Sequence, residues 1–132
     1  IGLPTWMWVT QPGPHTWGPI TRTATAGGIT VSATGTVDHV DWDMGDGHTV
    51  TCTGPGTTYH ASAGDADSPT CGYRYPHVSA HQPDGHYTIT ATATSYWTVH
   101  WTGGGQAGTI TLQLSDTATL RIGEAEALMT GN

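Results

Sequence analysis

Two cysteines are the residues of this chain with the clearest chemistry. Cys52 and Cys71 are the whole cysteine inventory, and neither belongs to a Cys-x-x-Cys pair, which argues against zinc binding and thioredoxin-like chemistry. A disulfide between them would close the Gly-, Pro- and Asp-rich stretch 53–70 and stabilise the fold by roughly 3 kcal/mol. We therefore predict this disulfide and, with it, an oxidising compartment outside the cytoplasm.

A second candidate is the acidic turn Asp43-Met44-Gly45-Asp46-Gly47. The carboxylates of Asp43 and Asp46 could bind Ca²⁺ together with backbone carbonyls, because hard cations prefer clustered oxygen ligands. Alternatively, both carboxylates accept backbone N–H bonds and fix the turn. We favour the second interpretation and predict no other metal or cofactor.

The remaining polar residues do not form a pattern typical of catalysis. The sequence contains no nucleophile elbow, and no carboxylate pair is placed on a defined cleft, so we predict that the protein is not an enzyme. A net charge of −7, with only three arginines and no lysine, argues against nucleic acid and anionic membrane surfaces as partners. No apolar run approaches 18 residues, so we predict no membrane insertion.

The elements that position these residues are predicted to be β-strands. Thr, Val, Trp and Tyr favour strands, whereas the 19 glycines and eight prolines favour turns. Alternation predicts a strand pair at 20–26 and 29–37, and then a strand carrying Trp42 into the Asp-Gly turn, with Trp42 buried between two sheets. Two shorter strands are predicted at 48–53 and 72–76.

The longest alternating pattern predicts an extended hairpin from residues 86–101 and 109–122. Pairing about the turn at Gly103-Gly104-Gly105 is predicted to set residues whose numbers sum to 211 opposite each other, with Trp97 facing Leu114. The surplus ribbon 95–116 is predicted to extend beyond the sandwich and to make contacts. Residues 124–129 fit a strand or a helical turn equally well.

The N-terminal segment is predicted to be distinct. Residues 1–19 form a Trp-rich arm and a Pro-rich connector, and residues 20–132 form the sandwich domain. The arm would cover the ribbon of its own chain or be donated to a neighbour. Trp17 fits neither element. The predicted interaction residues are large apolar side chains of the arm and ribbon: Trp6, Trp8, Trp97, Val99, Trp101, Leu112 and Leu114.

Three ordered motifs resemble the PKD domain, an immunoglobulin-like β-sandwich. They are the stretch Val-Asp-Trp-Asp-Met-Gly-Asp-Gly at 40–47, Tyr73-Arg74-Tyr75, and Gly-His-Tyr-Thr-Ile-Thr-Ala-Thr at 85–92. The chain departs from the family pattern in the loop between the cysteines and in the ribbon 95–116. It also resembles secreted bacterial PKD-like proteins. This resemblance implies an extracellular adhesive or scaffolding role and no catalysis.

We therefore expect an all-β, PKD-type sandwich with an extended final hairpin and an N-terminal strand arm. The expected function is a secreted or cell-surface structural module that contacts protein, either itself or other cell-surface subunits. The alternative is a carbohydrate-binding module in which exposed tryptophans stack on a glycan. The chain begins at Ile1, as would a mature secreted protein without its leader or a trimmed chain.

Overall fold

The computed structural model describes residue 2 and residues 4–76, 89–122 and 127–130, with side chains described as far as Thr119. The described residues form eight β-strands and one short 3₁₀ turn at Ala61–Ala63. The strands are β1 Pro4–Trp6, β2 Ile20–Ala26, β3 Ile29–Asp43, β4 Thr49–Cys52, β5 Gly72–Arg74, β6 Ile89–Gly103, β7 Gln106–Ile122 and β8 Ala127–Thr130.

These strands form two packed sheets, which confirms the predicted all-β sandwich. The large sheet has the order β2-β3-β6-β7-β8, and β4 also pairs with β3. The small sheet contains β1 and β5. All pairings are antiparallel. The N-terminal strand therefore belongs to the second layer of the sandwich and pairs within its own chain.

Strand β3 is longer than predicted, because the two strands expected before the Asp-Gly turn are one. It runs from Ile29 to Asp43 and pairs with β6 along nearly its whole length. The pairing register shifts between Val37 and His39. A β-bulge lets a long strand bend and continue without ending. The long partner strand β6 holds both halves of β3 in one sheet.

The extended final hairpin is confirmed, but its predicted register was wrong by two residues. Trp97 lies opposite Leu112 and not Leu114, and Ile89 lies opposite Leu120. The turn residues are Gly104 and Gly105, with φ of 58° and 78°. A two-residue hairpin turn of this type needs positive φ at both positions, which this glycine pair supplies. A shift of two residues leaves every side chain on its predicted face.

The core between the layers contains two neighbouring clusters. The first combines Met7 from the arm with Met44, Cys52, Cys71, Tyr75, Ile89 and Ala91. The second contains Val37, Val40 and Trp97, with Trp17 and Ile20 packed against them. Trp42 is half-buried and packs against both clusters. The predicted core tryptophan therefore joins the two parts of the core.

The opposite face of the large sheet is polar and rich in threonine. Hydroxyls pair across neighbouring strands, with 2.8 Å between Thr21 and Thr34 and 2.9 Å between Thr94 and Ser115. Cross-strand Thr pairs of this kind stabilise sheets. This face needs no covering layer, whereas the apolar face does.

Some sequence predictions fall outside the described residues. These are the start of the third PKD-like motif, residues 85–88, and the chain segment 123–126. Beyond that segment, residues 127–130 form strand β8, which settles the choice between strand and helical turn for this part of the chain.

Candidate interaction site

The Asp-Gly turn uses its carboxylates to hold its own backbone. Asp43 Oδ1 accepts a hydrogen bond from the Gly45 amide at 2.9 Å, and Asp46 Oδ1 accepts one from the His48 amide at 3.0 Å. The other Asp46 oxygen accepts a bond from the Tyr73 hydroxyl. Bonds of this type are those of an Asx turn. Among the described residues, no three His, Cys, Asp or Glu side chains converge as metal ligands would.

The predicted disulfide is confirmed, and it anchors the loop on which the arm lies. Cys52 and Cys71 are bonded and both are buried. The indole of Trp6 donates to the Ala66 carbonyl at 2.9 Å and lies edge-on to Tyr59, with ring centroids 5.2 Å apart. Trp6 therefore packs on the disulfide-closed loop rather than on the ribbon.

Five of the six tryptophans of the chain converge on one cleft between the two layers. The cleft has a volume of about 550 Å³ and is bordered by the arm, β3, β6 and residues 114–118 of β7. Its tryptophans are Trp6, Trp8, Trp17, Trp42 and Trp97. Clefts of this size, apolar with a few polar groups, are typical of ligand sites.

The cleft also contains an unsatisfied polar group. Thr5 is only 7% exposed, and its hydroxyl is the one buried side-chain donor or acceptor without a partner among the described residues. Thr5 lies in the cleft lining. An unpaired buried hydroxyl costs about 1–3 kcal/mol, and the Thr5 oxygen is closed to solvent, so a ligand would remove this penalty only after neighbouring side chains moved.

Beyond the cleft, the same face of the large sheet is apolar, and no described element covers it. On β7, Ile110, Leu112 and Leu114 are 51%, 45% and 57% exposed. On β6, Val99 and Trp101 beside them are half-buried. On β3, Ile29 and Val31 continue the same face and are also exposed. We call these seven residues the apolar ribbon face. A contiguous exposed apolar patch of this kind is typical of an interaction surface.

The predicted interaction residues therefore fall into two places. Trp6, Trp8 and Trp97 lie in the cleft, and Trp97 is only 6% exposed. Val99, Trp101 and Leu112 lie on the apolar ribbon face, and Leu114 borders both places.

Among the cleft residues that sequence reasoning missed are Thr5 and Trp17. Trp17 lies in a Pro-rich connector without periodicity, and its carbonyl accepts a bond from the Val37 amide at 2.9 Å. No sequence signal could have placed it, because a connector between two layers carries no alternation to read.

The described part of the chain contains no helix of the length and hydropathy needed to cross a membrane.

Comparisons with known proteins identify no relative of this chain. No family model, no curated protein and no solved structure matches the sequence.

Proposed function

We propose that this chain is a PKD-like, non-enzymatic module of the cell exterior that holds proteins together through its apolar ribbon face. The observation that carries this function is the exposure of Ile110, Leu112 and Leu114 in one row. Apolar surface is worth about 25 cal/mol per Å² when it leaves water, so a partner that covers this row gains binding free energy.

Two further features support an extracellular structural role. The Cys52–Cys71 disulfide is of a kind that persists in oxidising compartments. The Asp-Gly turn and the Tyr73-Arg74-Tyr75 strand, which carry the resemblance to PKD domains, contact each other through Tyr73 and Asp46. These residues stabilise the fold and do not cover the apolar ribbon face, which remains available to a partner protein.

Photo-crosslinking on the producing cells tests the proposed function. Leu112 is replaced by p-benzoylphenylalanine, and a matched variant carries the same group at exposed Thr23 on β2, the opposite edge of the sheet. We expect irradiation to link protein to position 112 and not to position 23. Absence of any protein adduct at position 112 would refute a contact role for this face.

A second candidate function, carbohydrate binding, is favoured by the tryptophan cleft. Indole rings stack on apolar faces while hydroxyl groups supply orientation, and the cleft is lined by five tryptophans and by Thr5, whose hydroxyl has no partner. In this second function, the glycan would stack on the tryptophans of the cleft. It would not stack on tryptophans of an exposed ribbon, because Trp97 is buried.

Tryptophan fluorescence during titration with neutral oligosaccharides tests this second function. We expect a saturable change that is lost in Trp8→Ala and weakened in Thr5→Val, which keeps the shape of the side chain and removes the hydroxyl. Trp101→Ala is the control, because Trp101 lies outside the cleft lining. A titration without saturable change for every sugar would exclude the glycan role.

A further inference from the structure

Within the described part of the chain, strand β7 leaves one long edge unpaired. It pairs with β6 from Gln106 to Leu120, but with β8 only from Thr119 to Ile122. Along residues 106–118, no described strand lies on the outer side of β7. An unpaired edge presents a row of free N–H and C=O groups, which is a template for another strand.

The hairpin geometry identifies which groups face outward. Gly103 and Gln106 flank a two-residue turn, so they exchange both hydrogen bonds, and every second residue after Gln106 also bonds to β6. The intervening residues direct their N–H and C=O groups away from β6. They are Ala107, Thr109, Thr111, Gln113, Ser115 and Thr117.

Between residues 106 and 115, this edge lacks the features by which proteins usually prevent strand addition, and the charged residue Asp116 follows on the apolar face. Those features are proline, lysine, inward-pointing charges and bulges. The stretch 106–115 contains no proline and no charged residue, and its pairing with β6 has no register shift. In a chain of net charge −7, an uncharged edge is a place where a second copy can approach with little repulsion.

We propose that the occupant of this edge is a second copy of the chain, an inference that rests on the protein-contact function proposed above. Two β7 strands pair antiparallel about a two-fold axis at Leu112, which makes one continuous sheet across both copies. A two-fold interface uses the same patch on each subunit, and the sequence of this edge is complementary to itself.

The register follows from the side chains of β7. With the axis at Leu112, Leu112 of each copy lies opposite its counterpart, and Ile110 lies opposite Leu114. Asp116 then faces Gly108, so no carboxylate opposes another or an apolar side chain. An axis at residue 111 would place Leu114 opposite Gly108, and an axis at residue 113 would place Ile110 opposite Asp116. Only the Leu112 axis places each of the three large apolar residues opposite another large apolar residue.

The pairing would satisfy the free edge of both copies. Six outward-facing residues in each strand would exchange about ten backbone hydrogen bonds in total, because the Thr117 amide already donates to Asp116 Oδ1. The added strand would also run along residues 114–118, the border of the tryptophan cleft. Ile110 of the second copy, opposite Leu114, would then lie at the open side of that cleft.

Analytical ultracentrifugation of the purified 132-residue chain over a dilution series tests the pairing. We expect a monomer–dimer equilibrium. Thr111→Pro should abolish the dimer, because it removes an outward N–H without removing a bond to β6. Thr23→Pro is the matched control, since Thr23 faces outward on the opposite edge of the sheet by the same turn geometry, and it should still dimerise.

Cysteine crosslinking tests the register even if a proline variant fails to fold. Leu112→Cys places two cysteines in a non-hydrogen-bonded pair with Cα atoms about 4.5 Å apart, within the range for a disulfide. Under mild oxidation, a covalent dimer should form. Ile110→Cys should not form one by itself, but should do so when combined with Leu114→Cys.

Each outcome bears on the inference. A chain that sediments as a monomer at every concentration overturns it, as does a dimer that survives Thr111→Pro or crosslinks equally through residue 110 alone. If the purified chain is monomeric while photo-crosslinking at position 112 captures a different protein, the contact function stands and the second copy is excluded.

Discussion

The hydroxyl of Tyr73 donates a hydrogen bond to Asp46 Oδ2 across 2.7 Å. This bond joins the short strand β5 to the Asp-Gly turn at the end of β3. Next to it, the Tyr75 hydroxyl donates to the Met44 carbonyl at 2.8 Å. Burial raises the pKa of the Asp46 carboxyl, but the bonds from Tyr73 and His48 together outweigh burial and lower it. The turn is thus fixed by an ionised carboxylate.

This arrangement predicts a pH-dependent contribution to stability. Because the pKa of Asp46 is lower in the folded state than its ordinary value of 3.8, its contribution is present above that value and is lost as the pH falls through the folded-state pKa. In denaturant unfolding, we expect Asp46→Asn to cost about 1–2 kcal/mol above pH 5. The difference from wild type should shrink below pH 4.

Asp65→Asn is the control, because Asp65 is exposed in the disulfide-closed loop. Its difference from wild type should stay within about 0.5 kcal/mol. An Asp46→Asn difference that stays constant from pH 6 to pH 2.5 would contradict the ionised-carboxylate account. Tyr73→Phe should raise the Asp46 pKa, which NMR titration would detect.

Two glycines of the same turn provide a matched test of packing. Gly45 and Gly47 both have positive φ, 80° and 94°. A Cβ atom at Gly45 would overlap the Ile89 side chain and the Thr90 carbonyl, whereas at Gly47 it would meet nothing within 4 Å. We expect Gly47→Ala to cost about 1–2 kcal/mol from backbone strain alone, and Gly45→Ala to cost about 3 kcal/mol or more. Equal losses in thermal unfolding would disprove close packing at Gly45.

Local patterns predicted most of the fold. Alternation identified β2, the start of β3, β6 and β7, and the loose stretch 53–70 indicated the disulfide. The register of the final hairpin was missed because alternation has a period of two residues and fits both registers equally. Only the turn geometry at Gly104-Gly105 selects between them.

The tryptophan cleft could not be predicted from local patterns. It depends on how the arm crosses the large sheet, which brings Trp8 and Trp17 near Trp97 although Trp17 and Trp97 are 80 positions apart in the sequence (97 − 17). Such contacts between layers are set by tertiary packing, and single-strand alternation says only which face is apolar.

Loss of the disulfide should destabilise the chain without removing its fold. Cys52 and Cys71 close a loop with a sequence separation of 19, for which chain entropy gives about 3 kcal/mol. We expect Cys52→Ala with Cys71→Ala to lower the free energy of unfolding by about 2–4 kcal/mol. Reduced wild-type protein is the control and should lose a similar amount. A loss below about 1 kcal/mol would show that the loop is ordered without the bond.

Two tryptophans on the same face of β6 should differ in how much they contribute to the free energy of unfolding. Trp97 is 6% exposed in the core, whereas Trp101 is half-buried above Gly108. We expect Trp97→Ala to cost about 3–5 kcal/mol and Trp101→Ala to cost about 1–2 kcal/mol. Urea unfolding measures both. The reverse order would mean that the ribbon, and not the cleft floor, is the part of β6 that is covered.

The N-terminal arm should be required for the stability of its own chain. Met7 is 2% exposed in the core, and its amide donates to the Cys71 carbonyl at 3.1 Å. We expect Met7→Ala to cost about 2–4 kcal/mol in urea unfolding. Val9→Ala, at a half-buried position of the arm, should cost less than about 1.5 kcal/mol.

Deletion of residues 1–10 is the stronger version of this test. It removes β1 from the small sheet and opens the core around Met44, Cys52 and Cys71. We expect the truncated chain to unfold at lower denaturant concentration and to aggregate, because apolar surface that the arm covers becomes exposed. Light scattering and circular dichroism measure both effects. A truncated chain that stays folded and becomes monomeric would instead show that a neighbouring copy donates the arm, and the pairing of β1 with β5 within one chain would be wrong.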